Sequence, residues 1–155
     1  MKDRTEENST AVFLEELLVR RELAINMWHY NLNYNNWRCL PDWVIKTLDE
    51  ERAKAPMTLL DEYTLDDLQH GKTHDPLWNA AQKQLIKTGK IHGYVRMYWG
   101  KQLLRWFHDW RKAYEIGVFL NDTYAIDGCS PNGYTGIAWC FGKHDRPFPP
   151  KKIHY

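Results

Sequence analysis

The stretch DPLWNAAQKQLIKTG, residues 75–89, decides how the chain is read. Asp75 followed by Pro76 is a strong helix start. The carboxylate suits the unpaired amides of a first turn, and proline tolerates a position whose N–H has no intrahelical partner. Gly89 is a matching stop, since glycine enters the left-handed region without a Cβ penalty. The stretch therefore predicts a helix over Leu77–Thr88, and the neighbouring segments read the same way. After it comes a long helical stretch from about Tyr94 to Trp110, then another from about Arg111 to Leu120. Asn121-Asp122 breaks that pattern, and Gly128, Pro131, Asn132, Gly133 and Gly136 mark residues 121–136 as mostly loop and turn. Before it, Thr64-Leu65-Asp66-Asp67 resembles a capping box with Asp in place of Glu and starts a short helix to His70, ended by Gly71. Pro41-Asp42 opens a helix that runs to about Lys54 and stops before Pro56. Phe13, Leu14, Leu17 and Leu18 recur at helical spacing and predict a helix from about Thr10 to Trp28. Four asparagines in residues 29–36 favour turns. No strand alternation, internal repeat or low-complexity tract is visible. The fold class is all-α, with about seven helices and long loops. Residues 1–11 read as a flexible polar lead, 12–146 as one helical domain, and 147–155 as an irregular tail rich in Pro and Lys.

At 155 residues the chain is sized for one domain. Lys and Arg number 21 against 20 Asp and Glu, a net charge of +1, which argues against a polybasic coat or an acidic tail. No apolar run approaches the roughly 18 residues of a membrane span. The polar start has no signal-peptide core. The expectation is an intracellular protein: nuclear, cytoplasmic or organellar. Cys39, Cys129 and Cys140 are odd in number and lack CxxC spacing, so they read as reduced thiols. The unusual feature is aromatic content, 8 Trp, 9 Tyr and 5 Phe, which points to packed interfaces, a stacking site or a redox path.

Trp99, Leu103, Trp106 and Trp110 fall at i, i+4, i+7 and i+11 and share one face of a helix. Trp99 and Trp106 are two turns apart, about 10 Å along the axis. The stripe reads either as core or as an electron-hopping chain. Arg96, one turn before Trp99, must be paired or bound to something amid buried aromatics, and Asp122 and Asp127 are candidate partners. Adjacent Glu15 and Glu16 point to different faces and do not form a carboxylate pair on one substrate atom. His70-x-x-x-His74 is interrupted by Gly71 and lacks a third ligand, so no metal site is expected. The chain has only two serines, Ser9 and Ser130, and no phosphate-binding glycine loop or nucleophile elbow. Lys143, Arg146, Lys151 and Lys152, with Lys101, Arg105, Arg111 and Lys112, are interleaved with aromatics. They fit a DNA-facing groove or a solvated surface equally.

The run Lys72-Thr73-His74-Asp75-Pro76-Leu77-Trp78-Asn79-Ala80-Ala81-Gln82 is followed by Thr88-Gly89-Lys90-Ile91-His92-Gly93-Tyr94 and Arg96-Met97-Tyr98-Trp99. These resemble the FAD-binding domain of class II DNA photolyases, which act on cyclobutane pyrimidine dimers. Phe13-Leu14-Glu15-Glu16-Leu17 and Arg20-Arg21-Glu22-Leu23 resemble the family upstream. Asn121-Asp122, Asp127-Gly128, Pro131-Asn132-Gly133-Tyr134, Gly136-Ile137-Ala138-Trp139 and His144-Asp145-Arg146 resemble it downstream, in collinear order over about residues 12–146. The resemblance implies a light-driven flavoenzyme that splits the dimer by electron transfer, with FAD as cofactor and ultraviolet-damaged DNA as partner. It implies Trp99 as the tryptophan nearest the flavin, Trp78 as the middle one and Trp106 as the surface-end donor. Asn121 would lie against the flavin N5 edge, and Arg96 and Asp127 would line the isoalloxazine site. Glu16 would hydrogen-bond the dimer, with Met97 and Trp139 packed against it. An anionic reduced flavin wants a nearby cation, and flipped bases want apolar, stacking walls.

The family pattern also includes an α/β antenna domain, the first helices of the flavin domain and the Ser/Thr-rich loop that holds the FAD phosphates. This sequence has none of these. Two readings follow. The chain is the C-terminal part of a working photolyase, or it is a truncated, inactive relative serving as a structural subunit. The second expects an exposed apolar face, left by the absent helices and covered by a protein partner.

Overall fold

A continuous helical rod leads the chain: α1 (Asp3–Leu14), a π-helical stretch (Glu15–Arg20) and α2 (Arg21–Tyr30). The computed structural model describes residues 3–54 and 63–144, with side chains from Ser9 onward. The rod begins at Asp3, ahead of the start expected near Thr10. No Gly or Pro occurs between Asp3 and Tyr30, so nothing in the sequence interrupts it. It stops where Asn31 turns to extended backbone. The Asn-rich segment then makes turns, with Asn33 N–H donating to Asn31 Oδ1 at 2.9 Å.

The remaining helices are α3 (Asp42–Lys54), α4 (Leu65–Gln69), α5 (Pro76–Thr88), α6 (Gly93–Trp106), α7 (Trp110–Tyr124) and α8 (Pro131–Cys140). Counting the leading rod once, seven helical rods and no strand are found among the described residues. The chain is all-α, as its sequence indicates. Thr64 and Asp67 form the capping box of α4, each side chain accepting from the other's backbone N–H. Asp75 caps α5 by accepting from Leu77 and Trp78 N–H at 2.9 and 3.0 Å. Gly89 ends α5 with φ +69°.

Three local expectations are corrected. α6 ends at Trp106 rather than Trp110, because Phe107 is extended and Asp109 caps the next helix through Arg111 and Lys112 N–H. Trp110 therefore opens α7 and does not extend the Trp99–Trp106 stripe. Asn121 and Asp122 lie inside α7, which continues to Tyr124. Residues 131–140 are helix, not loop: Ser130 accepts from Gly133 N–H and Pro131 fills the first turn. That is the same signal as Asp75-Pro76, masked by the surrounding glycines. The expected tail, 147–155, and Asp145-Arg146 lie outside the described residues.

α5 packs on α6, α6 on α7, α7 on α8, and α2 on α8. Trp78, Trp99, Trp110, Tyr114 and Phe107 are the bulk of the core. In contrast, Val12, Phe13, Leu17, Leu18, Val19 and Leu23 on the leading rod are exposed, so this stretch carries uncovered apolar side chains. No helix among the described residues is long and apolar enough to cross a membrane.

Asp75 joins the capping of α5 to its packing on α6. Besides the two amides, its carboxylate accepts from the Tyr98 hydroxyl and from Gln102 Nε2 at 3.4 Å. Burial pushes its pKa up, but the Tyr98 phenol and the two amides outweigh this and hold it below the usual carboxylate value. A depressed carboxylate stabilises the fold above its unfolded pKa, and the contribution disappears as pH falls through the folded value. Asp75→Ala should lower the unfolding free energy by about 1–2 kcal/mol at neutral pH, read by urea denaturation. The gap between variant and wild type should narrow below about pH 3.9.

Candidate functional site

Three tryptophans form a connected array. Trp78 on α5 lies parallel to Trp99 on α6, with ring centroids 6.0 Å apart and planes 4° apart. Trp78 also meets Trp106 edge-on, at 5.3 Å and 66°. Trp78 and Trp99 are 0% exposed and Trp106 is 7% exposed, so all three are buried, with Trp78 between the other two. The shared face of Trp99 and Trp106 follows from their spacing on α6. The place of Trp78 between them is tertiary, contributed by a different helix.

Each buried indole has its partner. Trp78 Nε1 donates to the Trp99 carbonyl at 3.0 Å, and Trp99 Nε1 donates to Gln82 Oε1 at 3.0 Å. Gln82 is itself fully buried and donates to the Gln69 carbonyl at 3.4 Å. Sequence reasoning did not single out Gln82, although its i+4 position from Trp78 places it on the same helix face.

A second group gathers where α6, α7 and the start of α8 meet. Arg96 holds Asp127 through two bonds, Nη1 to Oδ2 at 2.7 Å and Nη2 to Oδ1 at 3.0 Å. This settles which aspartate pairs with it. Asp122 instead accepts from Cys129 N–H at 2.9 Å and from the Tyr134 hydroxyl at 3.0 Å. Asn121 is 2% exposed, and its Nδ2 has no hydrogen-bond partner. Leaving such a donor unpaired costs about 1–3 kcal/mol. Gly133 is what lets α8 approach. A Cβ there would lie 2.8 Å from the Asp127 carbonyl oxygen and 2.9 Å from Asn121 Nδ2. An orphaned amide donor and a guanidinium held in fixed orientation suit a planar, acceptor-bearing ligand with anionic character.

The other expected site residues border α8. Met97 accepts from the Cys140 thiol at 3.7 Å. Burial pushes the Cys140 pKa up to about 12, so it remains a thiol at neutral pH. Trp139 lies under the Arg20 guanidinium at 5.1 Å and meets His144 edge-on at 5.3 Å. Arg20 closes the π-helical stretch and also pairs with Glu15 at 3.4 Å, which sets that stretch beside α8. Glu16 is exposed on the same stretch. A π-helical stretch re-aims side chains within a rod and often marks a functional site.

Two of the basic residues weighed for a DNA-facing groove or a solvated surface are tied into the fold. Arg111 is bidentate to Asp49, at 2.8 and 3.0 Å, and its guanidinium covers the Trp37 and Trp110 rings. Lys143 Nζ donates to the Cys39 carbonyl at 2.5 Å. Arg146, Lys151 and Lys152 lie outside the described residues. His70 and His74 belong to no metal-ligating cluster among the described residues. His74 packs with Tyr63 against Trp106, a grouping of distant chain segments that no local pattern announces.

No protein-family model matches the chain. Among curated proteins it is 51% identical over 141 residues to a deoxyribodipyrimidine photo-lyase of Methanothermobacter thermautotrophicus, covering 91% of this chain and 31% of that protein. It is 45% identical over 148 residues to one from Potorous tridactylus, covering 94% and 27%. It is 41% identical over 146 residues to one from Oryza sativa subsp. japonica, covering 94% and 28%. The chain spans about a third of the length of the curated relatives it matches, and the similarity runs through nearly all of it.

The unpaired amide of Asn121 separates a ligand-binding role from a structural one. In protein free of any bound ligand, Asn121→Leu should leave stability unchanged or raise it by about 1 kcal/mol in denaturant unfolding, because it removes an unsatisfied donor. A loss of that size would instead make the amide part of the scaffold.

Proposed function

We propose that this chain is the flavin-facing, electron-conducting portion of a class II cyclobutane pyrimidine dimer photolyase. The similarity to proteins named deoxyribodipyrimidine photo-lyase supports the photolyase part of this reading. The collinear motifs between Lys72 and Trp99 support class II. The observation that carries it is the tryptophan array, three buried indoles in continuous ring contact across two helices with Trp106 as the end that retains some exposure.

When bound, a reduced FAD supplies the light-excited electron that splits the pyrimidine dimer. This chain's residues prepare the site for it. The array conducts an electron inward from Trp106 through Trp78 to Trp99. Its indole N–H groups on Trp78 and Trp99 are tied up, so neither ring has to reorient as charge passes. Arg96 places a cation where negative charge must be held, and Asp127 fixes the fork's orientation with two bonds. Asn121 Nδ2 would hold the cofactor by giving it the hydrogen bond that the fold leaves unpaired. Met97 and Trp139 provide the apolar wall for a flipped-out dimer in ultraviolet-damaged DNA, and exposed Glu16 supplies a hydrogen bond to its bases. The exposed apolar stretch from Val12 to Leu23 is where the rest of a photolyase-length polypeptide would pack, including the part that holds the FAD phosphates.

The test is photoreduction. The protein carrying this chain, purified in the dark, should show a flavin absorption band that bleaches under blue light with an external reductant. Trp99→Phe and Trp78→Phe should each retain the band and lose the bleaching. Absence of flavin from the wild type, with an unrelated protein co-purifying, would overturn the reading in favour of a repurposed subunit.

A further inference from the structure

The outer end of the array is not bare. Tyr63 and His74 both touch the Trp106 ring, with centroids at 5.1 and 5.6 Å, and they stack on each other at 5.8 Å and 28°. The Tyr63 hydroxyl is hydrogen-bonded to His74 Nδ1. The same phenol oxygen accepts the His74 backbone N–H at 3.0 Å. In the imidazole tautomer that carries its hydrogen on Nε2, the phenol donates its own proton to Nδ1 while its oxygen accepts the backbone N–H. Exposure rises beyond Trp106: Tyr63 is half-buried and His74 exposed.

The loop carrying His74 is fixed on both sides. Asn79 Oδ1 accepts from Thr73 N–H at 2.9 Å and from its hydroxyl at 2.8 Å, and Asn79 Nδ2 donates to the Thr73 carbonyl at 2.7 Å. Asp75, on the other side, caps α5 and draws electrostatically on His74. The imidazole is thus held against the phenol.

We propose that Tyr63 and His74 are a proton-coupled terminus of the tryptophan array, a reading that rests on the proposed function above. The oxidant would be the oxidised, light-excited flavin, which would gain one electron through the array and leave Trp106 one electron short as a radical cation. Tyr63 gives one electron to Trp106 and its O–H proton to Nδ1 of neutral His74. The products are neutral Trp106, a neutral tyrosyl radical and a His74 imidazolium, so one positive charge stands on each side of the step. The imidazolium, being exposed, releases its proton to water. An external one-electron reductant, such as a thiol, then restores Tyr63. The step moves the oxidising equivalent out of the indoles onto an uncharged group, which slows its return to the core.

Flash photolysis of the flavin-loaded protein with electron paramagnetic resonance detection tests this. In the wild type a tryptophanyl radical should give way to a tyrosyl radical, more slowly in D2O. Tyr63→Phe, and independently His74→Phe, should retain flavin and leave a tryptophanyl radical that recombines faster. A tryptophanyl radical as the last species in the wild type, or one unaffected by Tyr63→Phe, would overturn the terminus while leaving the array intact. No tryptophanyl radical in any of the three proteins would overturn both. In flavin-free protein, histidine-selective 15N NMR should show His74 protonated on Nε2, with a Nδ1 signal that shifts in Tyr63→Phe. A protonated Nδ1 at neutral pH would contradict the proposal.

Discussion

Trp78 ties α5 to α6 through one hydrogen bond and one stacked ring. Its Nε1 donates to the Trp99 carbonyl at 3.0 Å while the two indoles lie 4° from parallel. A helical carbonyl has two lone pairs, so Trp99 can accept this bond without surrendering its place in α6. Both rings can then be fully buried without leaving an indole N–H unpaired, because Gln82 takes the second one. The rest of the arrangement follows from that contact. It sets the distance between α5 and α6, brings Trp106 against the other side of Trp78, and places Asp75 where it both caps α5 and receives the Tyr98 hydroxyl.

The polar group at α6, α7 and α8 obeys a different economy. Arg96 and Asp127 satisfy each other, whereas the Asn121 amide is left with a buried, unanswered donor. Folded proteins rarely tolerate that without a reason, since a leucine of similar size would avoid the cost. Gly133 reinforces the point: the position gives up a side chain so that α8 can approach Asn121 and Asp127 closely. Stability is set aside locally, in a manner typical of sites that await a ligand.

Much of this was legible in the chain itself, for identifiable reasons. Asp75-Pro76 and Gly89 bracket α5 because caps act within one turn and leave their mark in adjacent residues. The shared face of Trp99 and Trp106 follows from helical periodicity. The end of α6 was misplaced because Asp109, a good N-cap, sits in a run whose apolar spacing continues smoothly into Trp110. α8 was missed because Gly133 and Gly136 lower helical propensity, although Ser130-Pro131 carries a start signal. What no local pattern contains is the meeting of distant segments. The choice of Asp127 over Asp122 as the partner of Arg96, the insertion of Trp78 between two residues of α6, and the Tyr63–His74 pair on Trp106 all depend on how the helices pack. The family resemblance implies an order for the tryptophans, but names neither the Tyr63–His74 pair nor Gln82.

The central claim is that one buried end of a tryptophan array and one unpaired amide face the same flavin. A crystal structure of the flavin-loaded protein measures this directly. The account requires a flavin acceptor atom within hydrogen-bonding distance of Asn121 Nδ2, and Trp99 closer to the isoalloxazine ring than Trp78 or Trp106. A flavin bound elsewhere, with Asn121 Nδ2 still unpaired or with Trp106 the nearest indole, would contradict it.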